Sequence, residues 1–209
     1  MRYPRASAQL VVLLGAALLL TACMAARIAP LPDVSASMLR PVSAFATIND
    51  QQARSRALFE EMGRVILSPR CLNCHPRTDQ ATQGDRMIVH RPMISRGPGG
   101  FGAAGMHCAT CHHADNFDPA GVPGDPAWRM APVAMGWQQL SLGQICSRIV
   151  DSRTNGGRGL PALVRHLRED HLVGWAWHPG AGRTSAPGTQ QEFGDLANAW
   201  MLTGAHCPS

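Results

Sequence analysis

Cys71-Leu-Asn-Cys74-His75 and Cys108-Ala-Thr-Cys111-His112 are two copies of one pentapeptide pattern, and their reading decides what the rest of the chain must build. Two thiols three residues apart reach the two vinyl groups of a haem as thioethers, and the next residue brings an imidazole to the iron. Each pentapeptide therefore has the C-x-x-C-H form of a c-type haem attachment site. The four cysteines also read as C-x2-C-x33-C-x2-C, a layout open to zinc or an iron–sulfur cluster. Two disulfides, or a thioredoxin-like redox pair, are further readings. None of these needs a histidine directly after both pairs. The expectation is two covalently bound haem c groups, with Cys71, Cys74, Cys108 and Cys111 as thioethers and His75 and His112 on the proximal faces of the irons.

The amino terminus supports export, which haem attachment outside the cytoplasm requires. Arg2 and Arg5 give a short basic region, and residues 10–20 form an almost unbroken apolar run. That run is too short to span a bilayer and suits a signal peptide. Leu20-Thr21-Ala22-Cys23 then resembles a bacterial lipobox, which makes residues 1–22 a signal peptide and Cys23 the acylated first residue of a lipoprotein. Several acyl chains on one residue, at about 0.8 kcal/mol per buried methylene, anchor stably. Met24 stands where an inner-membrane retention signal has Asp, so the expected location is the periplasmic face of the outer membrane.

Cleavage after residue 22 leaves 187 residues and lowers the formal charge from +5 to +3. That length suits one domain. Up to four haem propionates bring the charge to about −1, so no polycation remains and nucleic acid is excluded as a partner, since its affinity rests on phosphate neutralisation. All 19 basic residues are Arg. A lysine axial ligand is thereby excluded, and Arg is left as the partner of haem propionates. The single tyrosine, Tyr3, lies in the signal peptide.

Residues 23–46, with Pro30, Pro32 and Pro41, read as a lipidated tether, and residues 47–209 as the haem domain. A helix capped by Asn49 or Thr47 should run to about Leu67, with Ala53, Ala57, Leu58, Met62, Val65 and Ile66 along a side expected to face the first haem. Between the motifs, Gly100-x-Gly102-x-x-Gly105 has the letters of a dinucleotide fingerprint but no strand leads into it. It is expected to be a loop whose glycines let the backbone lie close against a macrocycle. Residues 118–128 read as a similar irregular wrap. Ser141 with Gln144, and Thr189 with Glu192, are capping boxes. They open stripes at Leu142, Ile145, Cys146 and Ile149, and at Phe193, Leu196, Ala197, Trp200 and Met201. Leu160, Leu163, Val164 and Leu167 form another stripe, and helical spacing puts His171 in line with it. Trp175, Trp177 and His178 look like a short alternating segment. The fold class expected is mostly α: a small, irregular dihaem cytochrome c domain whose long Gly/Pro-rich loops wrap two covalent haems.

Cys146 and Cys207 remain after the lipobox and the motifs. In an oxidising periplasm a disulfide between them is favoured, two buried thiols being the alternative. The distal iron ligands stay open on residue pattern alone. Candidates are His90, His107, His113, His166, His171, His178 and His206, with Met87, Met93, Met106, Met130 and Met135. His107 and His113 adjoin the second motif too closely to reach the far face of its haem.

Thr82-Gln-Gly-Asp85, the second motif, Val122-Pro-Gly124, Ala131-Pro132-x-x-Met135-x-Trp137, Asn155-Gly-Gly-Arg158, Leu172-Val-Gly-Trp175 and Ala186-Pro-Gly-Thr-Gln190 resemble a group of bacterial proteins with two haem motifs, labelled isoquinoline 1-oxidoreductase subunits. The resemblance covers most of residues 55–208. It implies His90 and His166 as distal ligands, since those positions carry histidine in the group whereas those of His171 and His178 vary. Met135, placed like the ligand methionine of small class I cytochromes, is the alternative. The chain lacks the plant-type C-x4-C-x2-C spacing and the length for a molybdopterin domain. The label therefore implies partnership with a periplasmic molybdenum hydroxylase rather than that enzyme itself.

Three functions follow. The first is an electron carrier with two six-coordinate haems passing electrons between a periplasmic redox partner and a membrane-linked acceptor. The second is a haem enzyme with one open iron site, peroxidase-like or acting on sulfur compounds, although dihaem peroxidases resemble a considerably longer chain. The third is a haem-based sensor, for which no signalling domain is present.

Overall fold

The computed structural model describes residues 37–209, and the expected signal peptide and Cys23 lie outside them. The described residues are mostly helical. No helix among them is long and apolar enough to cross a membrane.

The first long helix, α1, spans Gln51–Ile66 and is capped by Asp50, whose side chain accepts from the Ala53 amide at 2.6 Å. The cap expected at Asn49 or Thr47 is therefore moved to the aspartate that reaches the third helical amide. Ser68 then sits in extended backbone and admits Pro69 at the start of α2, the single turn Pro69–Leu72 that carries Cys71. Helix α3, Leu142–Val150, and helix α6, Gln190–Leu202, both open on the complete capping boxes expected at Ser141/Gln144 and Thr189/Glu192. Helix α4, Leu160–Glu169, takes Pro in its first turn, where the missing N–H has no partner to lose.

Asp170 breaks the next expectation. It sits at φ −67°, ψ 131°, ending α4, and its side chain caps the short helix α5, His171–Gly174. The helical register that would align His171 with Val164 and Leu167 stops one residue earlier, and the His171 side chain is 83% exposed. Trp175–Trp177 form a 3-10 turn in continuation of α5, not an alternating extended segment.

Helix α6 is the centre of the core. Phe193, Leu196, Ala197 and Trp200 are buried on it against Leu58, Phe59, Met62, Val65 and Ile66 of α1, with Leu163, Val164 and Leu167 in the same cluster. Phe59 and Trp200 pack with ring centroids 5.0 Å apart. Each buried Leu, Ile, Val, Met or Phe side chain among them contributes about 1.5–3 kcal/mol. The apolar side of α1, expected to face a haem, is thus buried in protein. The tether boundary moves as well: Leu39 and Phe45 are core residues, and the Gly188 amide donates to the Ser37 carbonyl at 2.7 Å. The folded unit therefore includes residues 37–46.

Residues 73–140 contain four two-residue strands in two antiparallel hairpins: β1, Thr82–Gln83, with β2, Ile88–Val89, and β3, Gly102–Ala103, with β4, Met106–His107. The glycine-rich loop packs against backbone. A Cβ on Gly100, at φ +83°, would stand 2.1 Å from the Met130 carbonyl oxygen, and the Met130 amide donates to the Gly100 carbonyl at 2.9 Å.

Candidate functional site

The two pentapeptides lie in short turns. Cys71 ends in α2 and Cys74 follows it, while Cys108 opens a 3-10 turn, Cys108–Thr110, directly after β4. All four are free thiols. Burial pushes the Cys71 thiol up to about 12 and the Cys74 thiol up to about 11, and raises Cys108. A thioredoxin-like pair requires the opposite shift. Among the described residues no three His, Cys, Asp or Glu side chains converge as a metal-holding cluster, so the four thiols do not form the tetrahedron of a structural zinc site.

The two motif histidines have matching surroundings built from distant chain segments. His75 Nδ1 is 2.7 Å from the Met135 carbonyl, and its ring stacks on Trp137 with centroids 3.5 Å apart and planes within 10°. His112 Nδ1 is 2.7 Å from the Pro123 carbonyl, and its ring stacks on Trp128 at 4.7 Å and 15°. A carbonyl only accepts, so each Nδ1 carries the proton and each Nε2 keeps its lone pair. Histidine metal ligands are oriented in this way, the second nitrogen donating to a backbone carbonyl or carboxylate. Desolvation lowers the His75 pKa to about 4 and depresses His112 as well, so both rings are neutral at pH 7.

Of the histidines expected as distal partners, His90 has its ring centroid 5.9 Å from that of His112, at 61° between planes. Its Nδ1 also meets a carbonyl, that of Pro92, at 2.8 Å. His166 holds its Nδ1 3.2 Å from Asp170 Oδ2 and lies near enough to His75 to depress its pKa, behind the dominant effect of desolvation. Met135 contributes its carbonyl to His75, and its side chain packs against the core. His171 pairs with buried Asp125 at the surface. Cys146 and Cys207 are joined in a disulfide that ties α3 to the chain end.

Cys74, His90, Cys108, Cys111, His112 and Trp128 line one cleft of about 720 Å³, within the size range of cofactor sites. The two motifs adjoin across residues 130–131, where the Ala131 amide donates to the Cys74 carbonyl and the Met130 amide to that of Gly100, each at 2.9 Å. Trp128, Trp137 and the two carbonyl acceptors are the site residues that sequence reasoning missed. A signal was present: Pro123-x4-Trp128 and Pro132-x4-Trp137 repeat one spacing after the second motif. No family model matches the chain, and neither a curated protein nor a solved structure matches it.

Proposed function

We propose that the chain is a membrane-anchored, periplasmic dihaem c-type cytochrome that transfers electrons. In this reading Cys71 and Cys74, and Cys108 and Cys111, are the thioether anchors of two haem c groups, and His75 and His112 are proximal ligands. The observation that carries it is the paired environment of the motif histidines: Nδ1 donating to a carbonyl, ring flat on a tryptophan, Nε2 left to ligate.

The residues fit the group. His90 and His112 would hold the second haem between them: their ring centroids stand 5.9 Å apart, and the Nδ1 of each meets a backbone carbonyl, which leaves both Nε2 atoms to ligate. We assign His90 as the distal ligand of the second motif's haem and His166 as that of the first. Met135 is the alternative distal ligand; its carbonyl serving His75 and its side chain packing against the core favour the two histidines over it. The loops of residues 73–140 are then the wrap around the haems. When bound, haem supplies a one-electron couple whose potential follows its axial ligands, and His/His pairs lower it relative to His/Met. The chain's own part is to hold the ring orientations, keep both histidines neutral and exclude water through Trp128 and Trp137. The lipid anchor at Cys23 belongs to the same proposal, with the outer membrane favoured. The proposed redox partner is a periplasmic molybdenum hydroxylase that needs an electron acceptor.

The test is expression with export and haem maturation. The mass should exceed the apoprotein by two haems, and the reduced protein should leave carbon monoxide unbound. Colourless protein of apoprotein mass overturns the reading. Rapid carbon monoxide binding at one iron replaces the carrier with a haem enzyme or sensor.

A further inference from the structure

The cleft that holds the second motif is strongly cationic. Arg70, Arg86, Arg91, Arg129 and Arg183 line it, against a single carboxylate, Asp85. Arg70 is the unusual member. Its side chain is 1% exposed, and its guanidinium lies 5.8 Å from the Trp175 ring centroid. One nitrogen, Nη2, reaches Asp85 Oδ1 at 2.5 Å, while the buried Nε has no partner. A buried guanidinium with an orphaned donor is costly unless an anion completes it.

Asp85 is not free to do so. Its oxygens are shared with Thr184, which donates to Oδ2 from its amide at 3.1 Å and from Oγ1 at 2.8 Å. Next along the chain, Arg183 is held by the carbonyls of Pro179 and Gly121. Two neutral acceptors fix its fork without neutralising its charge. Arg183 is close enough to Arg70 for their charges to repel. Two cations, one shared carboxylate and an orphaned donor in the wall of one cleft describe a receptor for carboxylates, which arginine forks bind with two parallel hydrogen bonds.

We infer that Arg70 and Arg183 hold the carboxylate side chains of a tetrapyrrole seated in this cleft, whose lining includes Cys74, Cys108 and Cys111. This rests on the haem reading above. Both arginines are positioning residues that also set the potential. The oxidised iron carries one more positive charge than the reduced iron, so a nearby cation favours reduction.

The experiment uses the full-length holoprotein and the variants Arg70→Gln, Arg183→Gln and Asp85→Asn. Both couples are measured by spectroelectrochemistry, and the propionate bending modes by resonance Raman. The arginine variants should each lower one of the two couples about tenfold in its redox equilibrium, 59 mV for one electron, and move that haem's propionate mode. Asp85→Asn should shift the same couple upwards. Arginine variants that carry two haems with both couples within twofold of the wild type, and unmoved propionate modes, overturn the inference and leave Arg70 as the structural partner of Asp85. If Arg70→Gln fails to fold, the half-buried Arg183 decides alone. Failure of the underlying reading looks different: the wild-type protein itself carries no haem, and both proposals fall.

Discussion

At the scale of single residues, protonation and tautomer decide what this site can do. His75, pushed down to about 4 chiefly by desolvation, and His112, depressed for the same reason, present neutral Nε2 lone pairs at neutral pH, the form a metal takes without displacing a proton. On the dihaem reading proposed above, replacing His90 by Ala leaves the second iron one ligand short. The reduced variant is expected to bind one carbon monoxide per protein, read as a shift of the Soret band, where the wild type binds none. His171 behaves oppositely. Its hydrogen bond to Asp125 raises its pKa above the ordinary 6.5, so its stabilisation is fully present below pH 6.5 and is lost as pH rises through the raised value. Thermal melts of the wild type should fall over that window relative to those of His171→Gln, whose own melts should lack the step. The two C-x-x-C-H pentapeptides stand out in the sequence because the proposed covalent haem would need two thiols three residues apart and an adjacent imidazole. Trp128 and Trp137 carry only their shared Pro-x4-Trp spacing as a signal, because a single tryptophan stacked on a histidine and one buried in a core read alike along the chain.

At the scale of elements, local chemistry did most of the work. The capping boxes at Ser141 and Thr189 form as their letters imply, since a hydroxyl and a carboxylate or carboxamide three residues apart satisfy the first amides within one turn. Thr189→Ala is expected to cost about 1 kcal/mol, read by urea denaturation. The end of α4 was misjudged because Asp170 serves twice: it stops one helix and caps the next with the same side chain, while the apolar period runs on regardless. The Cys146–Cys207 disulfide closes a 61-residue separation. By loop entropy the double Ala variant should lose roughly 4 kcal/mol, measured as a lower urea midpoint with the slope checked for a changed denatured state.

At the scale of the whole molecule, a helical core of α1, α3, α4 and α6 supports a lobe of irregular chain that holds both pentapeptides. Within that lobe Gly100 ties the glycine-rich loop to residue 130, its carbonyl accepting from the Met130 amide. Ala at Gly100 would need φ +83° and a Cβ 2.1 Å from the Met130 carbonyl. It should open residues 96–131 to limited proteolysis while the helical circular dichroism of the core persists, the helices having their own apolar contacts. What the sequence by itself determined were features whose partners lie within one turn or one pentapeptide: the C-x-x-C-H spacing, the caps and the apolar stripes. What only the tertiary structure decided were pairings across long separations. Met135 reaches His75 over 60 residues, Asn116 holds Trp175 over 59, and Thr184 meets Asp85 over 99. Loop-closure entropy depends only weakly on such distances, so nothing in the local letters selects one remote carbonyl or arginine over another, and packing makes the choice.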